Sequence, residues 1–434
     1  MKAAIYTLGC KVNQYESAAI MEQLKKNGVE AVDFSEVADV YIINTCSVTA
    51  ESDRKSRSVI NRAVKKNPAA LICVTGCYAQ LKSRAIAAMP GVDIVTGTKD
   101  KMELSRLIIE SAGKKTKLMA VSDPFAARRF EPMSLSEAYE RTRMSIKIED
   151  GCDNFCSYCV IPYARGPIVS KPFDDIKSEL SAALGRGYKE IVLTGIHISS
   201  YGKEIKYEKR LLNVLEMCEG LEGDFRVRLG SLNLSCFDDE FLSALPHLKR
   251  LCPHFHISLQ SGCDKTLRAM NRKYTADEFA SVLSKIRKAL PGSSVTTDVI
   301  VGIPGETEED LLESIKFVEN EQFLKVHVFP FSLRPGTRAE KMEGHITRAE
   351  KARRVSLMSE AAKSTSERFL DAEAGKTRTV LIEEKTGENA YRGYTENYCM
   401  TKVYSDRPAL GELVRVRVEK REGETLICRA LQPL

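Results

Sequence analysis

Short apolar runs alternate with amphipathic stretches from residue 2 to about residue 112. The apolar runs are AAIYTL, VYIINT, ALICVTG and IVTG, and stretches such as ESAAIMEQLKKNG between them carry a helical period. Strand-length runs that alternate with helices predict a parallel sheet covered by helices. We therefore expect an N-terminal domain over 1–112 with a flavodoxin-like parallel α/β fold.

Residues 113–139 lose this periodicity and gather Lys, Pro, Arg and Ser, which is typical of a linker. Amphipathic helices such as ADEFASVLSKIRKAL then alternate with six apolar runs, which are MSIKIED, EIVLTG, FRVRLGS, HFHISLQ, VTTDVIVG and VHVFPFS. Six strand–helix units predict a partial (β/α)6 barrel over 140–370.

The last segment, 371–434, consists of short β-rich pieces separated by the turn sequences TGEN, SDRP and REGE. This pattern predicts a small antiparallel β-barrel. Tyr391, Arg392 and Tyr394 interleave aromatic and basic types in it, an arrangement that suits stacking on splayed RNA bases. Ordinary tyrosines of a barrel surface explain the same pattern equally well.

Composition narrows the class of protein only in part. The chain has 434 residues and a net charge of +6, and the basic helix predicted over 53–66 suits a polyanionic partner or a merely solvated face. Its 13 cysteines follow no secretory signal, which indicates a reducing, cytoplasmic location with thiols as metal ligands or core residues. No run reaches the roughly 18 apolar residues of a membrane span, so we expect no membrane association.

Cys152, Cys156 and Cys159 form the spacing CxxxCxxC in GCDNFCSYC, directly after the first predicted strand of the barrel. Three thiolates on one loop can hold three irons of a [4Fe–4S] cluster and leave the fourth iron without a protein ligand. S-adenosylmethionine (SAM) can chelate that iron through its amino and carboxylate groups. The loop would lie at the carboxyl end of the strands, where βα barrels keep their active sites.

A structural zinc site is the alternative for these thiolates, and it would need a fourth ligand from elsewhere. Zinc sites usually pair cysteines as CxxC with a second pair further on. CxxxCxxC with Tyr158 before its last cysteine instead resembles the signature of the radical SAM enzymes, in which the aromatic ring would pack near the adenine of the cofactor. Reductive cleavage of SAM there supplies a 5′-deoxyadenosyl radical.

Cys10, Cys46 and Cys77 each follow a predicted strand of the N-terminal domain. The carboxyl ends of parallel strands meet at one edge of a sheet, where open α/β folds bind ligands. These positions therefore predict a second three-cysteine cluster site, although three unrelated core cysteines are the alternative. Cys73 lies within its strand and is interpreted as a buried apolar residue.

Ordered sequence blocks over nearly the whole chain resemble the methylthiotransferase family of radical SAM enzymes. These blocks are TLGCKVNQ, NTCSVTAESDRKS, TGCYAQ, GCDNFCSYCVIPYARG, LTGIHISSYG, SLQSGCDKTLRAMNRKY, VIVGIPGET and FSLRPGTRAE. The C-terminal piece resembles the RNA-binding TRAM domain of that family.

The resemblance implies two [4Fe–4S] clusters that face each other across a shared cavity. The cluster on Cys152, Cys156 and Cys159 would bind SAM, and an auxiliary cluster on Cys10, Cys46 and Cys77 would carry the methylthio group. The implied partners are tRNA, SAM, an electron donor and a sulfur donor, and the sequence identifies neither donor.

The resemblance also indicates a substrate. TLGCKVNQYE is similar to the branch that modifies N6-threonylcarbamoyladenosine beside the anticodon, whereas the isopentenyl-adenosine branch has Gln-Met and the ribosomal-protein branch Pro-Lys at the positions of Lys11 and Val12. Both other branches remain alternatives. So does a non-catalytic iron–sulfur protein that binds RNA or senses redox state.

Other positions are weaker candidates. Residues that end barrel strands and could contact SAM or face the cavity are Gly195, Gln260, Ser261, Gly302 and Gly305. Arg334 closes the sixth strand and could bind a substrate carboxylate or phosphate. His256 is expected to be a core residue, and none of the six histidines has a metal-site spacing.

Overall fold

The computed structural model describes residues 1–99, 101–111, 114–126, 129–133, 135, 142–204, 210–407 and 410–431. In this part of the chain, no helix is both long and apolar enough to span a bilayer. The predicted domain boundaries at 112/113 and 139/140 lie outside the described residues.

The N-terminal part contains a six-stranded parallel sheet in the order β2-β1-β3-β4-β5-β6. Its strands are β1 (Lys2–Thr7), β2 (Glu30–Ala31), β3 (Val40–Thr45), β4 (Leu71–Gly76), β5 (Ile94–Thr96) and β6 (Leu118–Ala120). Its helices are α1 (Lys11–Lys26), α2 (Ala50–Lys66), α3 (Cys77–Leu81), α4 (Ser83–Ala87) and α5 (Lys101–Glu110). The first five strands have the flavodoxin order, which confirms the predicted class.

Both faces of this sheet are covered, as continuous apolar strands require. On one face Ile60 of α2 packs with Tyr41 and Ile43, and on the other Ile20 of α1 packs with Ile42. Strand β6 lies within the segment predicted as a linker, and it pairs with β5 through Ile94 and Leu118. The sheet therefore extends beyond the predicted boundary.

The central part forms the expected partial barrel. Its strands are β7 (Met144–Lys147), β8 (Glu149–Asp150), β9 (Val169–Ser170), β10 (Glu190–Thr194), β11 (Arg226–Leu229), β12 (Ser231–Leu232), β13 (His254–Ile257), β14 (Ser294–Val301) and β15 (Lys325–Pro330). Its helices are α6 (Ile161–Arg165), α7 (Phe173–Gly185), α8 (Leu211–Glu219), α9 (Asp239–Ala244), α10 (Asp264–Ala269), α11 (Ala276–Ala289), α12 (Glu308–Asn320) and α13 (Arg348–Asp371).

Two parallel sheets, β11-β10-β7 and β12-β13-β14-β15, make up the wall of this barrel. The predicted run FRVRLGS supplies both β11 and β12, with Gly230 between them. The first half pairs with β10 and the second half with β13. One sequence run therefore joins the two sheets, and the six predicted strands are all present.

The C-terminal part is a closed barrel in the order β16-β17-β18-β20-β19. Its strands are β16 (Thr377–Lys385), β17 (Ala390–Thr395), β18 (Met400–Tyr404), β19 (Leu413–Glu422) and β20 (Thr425–Ala430). Val380, Val403 and Leu426 are fully buried in its interior. The closed barrel confirms the predicted third fold and removes exposed strand edges.

The barrel is docked on the central sheet through buried arginines. Arg226 donates to the carbonyl oxygens of Thr379 and Tyr394 at 2.8 and 3.0 Å. Arg228 donates to those of Glu396 and Thr395 at 3.0 and 3.3 Å. Glu190 accepts from both guanidinium groups, so its carboxylate offsets part of the arginine charge inside the contact.

Candidate active site

The strand register brings Cys10, Cys46 and Cys77 to one edge of the N-terminal sheet. Thr7 of β1 is level with Asn44 of β3, and Thr45 of β3 is level with Gly76 of β4. Each cysteine lies one to three residues beyond these positions, at the start of a turn or helix. Parallel pairing therefore creates the thiol cluster from three distant parts of the sequence.

The glycines before two of these cysteines allow the tight approach. Gly9 has φ +98°, and a Cβ there would lie 3.0 Å from the Sγ atom of Cys46. Gly76 has φ +99°, and a Cβ there would lie 2.4 Å from the carbonyl oxygen of Thr45. Only glycine fits both the left-handed backbone and the space available.

The three thiols differ in exposure. Cys46 and Cys77 are buried, whereas Cys10 is exposed to a cavity. Burial raises the pKa of Cys46, and it raises that of Cys77 to about 11, against the opposing effect of the Arg165 guanidinium. The raised pKa values favour the protonated form of both thiols.

The second triplet lies on one loop after β8. The amide of Ser157 donates to Met270 O and that of Cys159 to Cys156 O, both at 3.0 Å, so the loop has a defined shape. Burial raises the pKa values of Cys152 and Cys159 to about 12. Arg272 donates to the Sγ atom of Cys156 at 3.4 Å, so a positive charge lies beside this sulfur atom.

A cavity of about 250 Å³ adjoins this loop. Tyr158, Cys159 and Gln260 line it together with Asp298. Val48 and Thr49, between β3 and α2, also line it, so the N-terminal part and the central barrel both contribute to its wall. Gln260 ends the fourth predicted strand run. Its φ of +71° is a strained backbone conformation for a residue other than glycine.

A larger cavity of about 480 Å³ lies between the N-terminal sheet, the central barrel and the C-terminal barrel. Cys10, Lys11, His256, His327 and Tyr398 are among its lining residues. His256 also lies 3.2 Å from Asp298, measured between Nε2 and Oδ2. This imidazole–carboxylate pair therefore stands between the two cavities.

A buried network of charges connects the two thiol sites. Arg165, on the short helix after Cys159, donates to Glu16 at 2.8 Å, Asp150 at 2.9 Å and Asn13 at 2.7 Å. Lys147 binds Glu16 and Asp150, and Lys101 also binds Glu16. These ion pairs fix α1, which begins directly after Cys10, against the loop that carries the other triplet.

The remaining predicted residues have separate environments. Gly195 and Tyr394 line the larger cavity. Ser261 accepts from the amide of Cys263, and the missing Cβ of Gly302 would meet Lys351. Gly305 donates its amide to Gly344 O.

The predicted substrate contacts are placed differently from what the sequence indicated. Arg334 is 4% exposed and binds Ser47 and Asp53, so it is not free to meet a substrate anion. Tyr391 is 3% exposed within the C-terminal barrel core, and this burial corrects the expectation that it stacks on RNA. Arg392 is on the surface and pairs with Glu384.

Sequence reasoning also missed residues that the structure brings to the site. His256 was expected in the core, but it is half-buried and lines the larger cavity. Arg165 stands in the block CVIPYARG, close enough in sequence to the second triplet to have been a candidate. Arg272 stands in the block MNRKY and had no such signal, because its approach to Cys156 depends on the fold.

Comparisons with known proteins agree with this architecture. Residues 2–97 match the model of the uncharacterized protein family UPF0004, and residues 146–318 match the radical SAM superfamily. Among solved structures, the radical S-adenosylmethionine methyltransferase TsrM from Kitasatospora setae has a TM-score of 0.57 at 15% identity. The match covers 78% of this chain and 73% of TsrM, and it shows a similar fold.

Two curated relatives are similar over nearly their whole length, and both are named threonylcarbamoyladenosine tRNA methylthiotransferase MtaB. The Bacillus subtilis protein is 41% identical, with 96% of this chain and 93% of that protein covered. The Thermotoga maritima protein is also 41% identical, with 98% and 96% covered. The chain therefore belongs to the radical SAM methylthiotransferase family and is of the MtaB type within it.

Proposed function

We propose that this methylthiotransferase inserts sulfur and a methyl group at C2 of N6-threonylcarbamoyladenosine 37 of tRNA, giving the 2-methylthio derivative. The observation that carries the proposal is the pairing of two three-thiol sites on either side of one charge network, in a chain 41% identical to relatives named for this substrate. As a member of the family, the enzyme uses SAM and [4Fe–4S] clusters.

The residues of both sites fit such clusters. Each triplet offers three thiols, and desolvation raises the pKa values of at least two thiols in each, a state that bonding to iron relieves. Three thiolates can hold three irons of such a cluster and leave the fourth iron open, whereas a structural zinc ion would need a fourth protein ligand.

We propose that Cys152, Cys156 and Cys159 hold the cluster that binds SAM, and that Cys10, Cys46 and Cys77 hold the auxiliary cluster. Once bound, these groups supply the hydrogen-abstracting radical and the methylthio group. The chain itself holds the two sites in a fixed relation through Arg165 and Glu16. Tyr158 and Gln260 line the smaller cavity, where they would contact the adenosine of SAM.

The substrate adenine would enter the larger cavity. Cys10 is open to this cavity, so the auxiliary site can be reached from it. Tyr394 of the C-terminal barrel lines the same cavity and offers an aromatic face on which a splayed base could stack. The His256–Asp298 pair at the boundary would orient the base between the two sites.

The proposal assigns one task to each of the three predicted domains. Residues 1–112 would hold the auxiliary cluster, 140–370 would bind SAM, and 371–434 would bind tRNA. Cytoplasmic tRNA is the proposed partner, and the electron and sulfur donors are the further partners that the reaction requires.

Mass spectrometry of nucleosides from total tRNA, compared between cells with and without the gene, tests the substrate. We expect loss of 2-methylthio-N6-threonylcarbamoyladenosine and accumulation of its unthiolated precursor. Loss of the methylthio group from isopentenyl-adenosine instead would move the enzyme to the isopentenyl-adenosine branch of the family. An unchanged nucleoside profile would contradict a tRNA substrate.

Anaerobic incubation of the purified protein with dithionite and SAM tests catalysis itself. The enzyme is expected to form 5′-deoxyadenosine, whereas a non-catalytic iron–sulfur protein would leave SAM intact. Absence of the product from a preparation with full iron content would therefore contradict the radical SAM activity.

A further inference from the structure

Lys11 stands beside the auxiliary site and faces the larger cavity. It is the first residue of α1 and follows Cys10 directly. Its side chain lines the cavity and is exposed to the cavity solvent. Within the described part of the chain, no carboxylate forms an ion pair with its ammonium group.

Among its described lining residues, the cavity carries two side-chain cations, Lys11 and Lys325, and one carboxylate, Glu424. Glu424 is already paired with Lys325, at 3.1 Å. An anion placed in this part of the cavity can therefore pair with Lys11 without breaking an ion pair that is already formed.

We propose that Lys11 binds the carboxylate of the threonylcarbamoyl group and thereby selects a substrate with an anionic N6 substituent over one with an apolar substituent. This inference rests on the proposed function. The threonylcarbamoyl group bears a carboxylate, for which an ammonium group is a suitable charged hydrogen-bond donor. An isopentenyl group offers no acceptor, so it would leave the ammonium without a partner in the cavity.

The position of Lys11 also explains how recognition could orient the base. Because Lys11 adjoins Cys10 in the chain, a carboxylate held by its ammonium lies beside the auxiliary site. Val12 and Leu229 line the same cavity and can contact the apolar part of the substituent. Arg334, the cation that the sequence suggested for this task, is already bound to Asp53.

The test compares RNA binding by the full-length, cluster-loaded enzyme and its Lys11→Gln variant. The probes are anticodon stem-loops with N6-threonylcarbamoyladenosine, with the methyl ester of its carboxylate, or with isopentenyl-adenosine. A charged hydrogen bond contributes about 1.5–3 kcal/mol, so the wild type should bind the acid about 10- to 100-fold more tightly than the ester. The variant should lose this preference while its affinity for the ester stays unchanged.

Lys11→Arg should restore much of the preference for the acid, because it restores the positive charge. Lys25→Gln removes the same charge from the exposed end of the same helix and should leave all three affinities unchanged. Iron content and the visible absorption spectrum of each variant report on the clusters separately from RNA binding.

The inference is overturned if the wild type binds the threonylcarbamoyl stem-loop and its methyl ester with equal affinity. This comparison uses the wild-type protein alone, so it does not depend on the folding of any variant. The inference is also overturned if Lys11→Gln weakens both ligands by the same factor, because that result indicates a general or structural effect. If the wild type methylthiolates only the isopentenyl stem-loop, the proposed function fails, and the inference fails with it. If the wild type methylthiolates the threonylcarbamoyl stem-loop but its binding preference does not depend on Lys11, only the inference fails.

Discussion

At the scale of single residues, the N-terminal triplet differs from the loop triplet in how its thiols are buried. Cys77 is fully enclosed at the start of α3, and Cys10 faces the larger cavity. This asymmetry suits the proposed auxiliary cluster, which would be anchored on its protein side and reachable from the cavity. The loop triplet instead depends on neighbours such as Arg272.

Replacing Cys77 with Ala should abolish methylthiolated product and spare reductive cleavage of SAM, because the loop triplet is unchanged. The measurement is chromatographic quantification of 5′-deoxyadenosine and modified nucleoside in one reaction. Cys73→Ala is the matched control, since Cys73 is buried within β4, four residues before Cys77. Full product from Cys77→Ala would contradict the assignment of the auxiliary site.

Replacing Arg272 with Met should lower the reduction potential of the SAM-binding site, because it removes both a positive charge and an N–H donor from the Cys156 sulfur. The measurement is a redox titration followed by electron paramagnetic resonance. Arg272→Lys keeps the charge and should shift the potential less. An unchanged potential in the Met variant would exclude a role of Arg272 in tuning the site.

At the scale of elements, helix α1 is held to the central barrel by buried ion pairs. Glu16 is fully buried and meets Arg165, Lys147 and Lys101. Removing one member of such a network leaves uncompensated buried charge, which is far more costly than losing a surface pair.

The Glu16→Ala variant should lower the free energy of unfolding by roughly 3–5 kcal/mol, as is usual when a buried ion pair loses one partner. The measurement is urea unfolding followed by circular dichroism. The control is Arg106→Ala, which breaks exposed pairs with Glu103 and Glu110 and should cost about 1 kcal/mol or less. Similar losses in the two variants would mean that the network adds no stability of its own.

The same network predicts sensitivity to acid. The neighbouring cations hold the pKa values of Glu16 and Asp150 below their ordinary values of 4.5 and 3.8. Lowered carboxyl pKa values contribute stability that is present above the ordinary pKa and is lost as pH falls towards the folded-state value. Unfolding free energy should therefore decline below about pH 4.5 more steeply in the wild type than in Glu16→Gln, as measured by urea titrations at several pH values.

The order of elements could be predicted from the sequence because long runs carry clear periodicity. All six barrel strands and the sheet of the N-terminal domain follow from such runs. Strand β6 was missed because Leu118–Ala120 is three residues long and mostly exposed, and its pairing with β5 is a tertiary effect. The cavity position of His256 was missed because the alternation of residues along a strand does not show which face of the strand borders a cavity.

At the scale of the whole molecule, aromatic residues join the C-terminal barrel to the larger cavity. The ring of Tyr398 stacks on His254 at 4.5 Å and on Tyr394 at 4.9 Å between centroids. The guanidinium of Arg228 lies 4.6 Å from the same ring. Tyr398 has φ +69°, so the turn between β17 and β18 accepts backbone strain to place this side chain at the junction.

Replacing Tyr398 with Ala should loosen the C-terminal barrel and raise the KM for tRNA several-fold, because stacked pairs contribute about 0.5–1.5 kcal/mol each. Hydrogen exchange of the amides in β11 would measure the loosening. Tyr404→Ala, on the outer surface of the same barrel, should change neither quantity. Unchanged exchange in Tyr398→Ala would show that the arginine contacts alone hold the barrel.

The contacts of Arg226 and Arg228 have a consequence for how this family can vary. Both arginines bind main-chain carbonyl oxygens of the C-terminal barrel, at Thr379 and at residues 394–396. Main-chain oxygens persist whatever side chain occupies the position. Substitutions in the barrel can therefore accumulate during evolution and change its surface, while its orientation over the cavity is inherited unchanged.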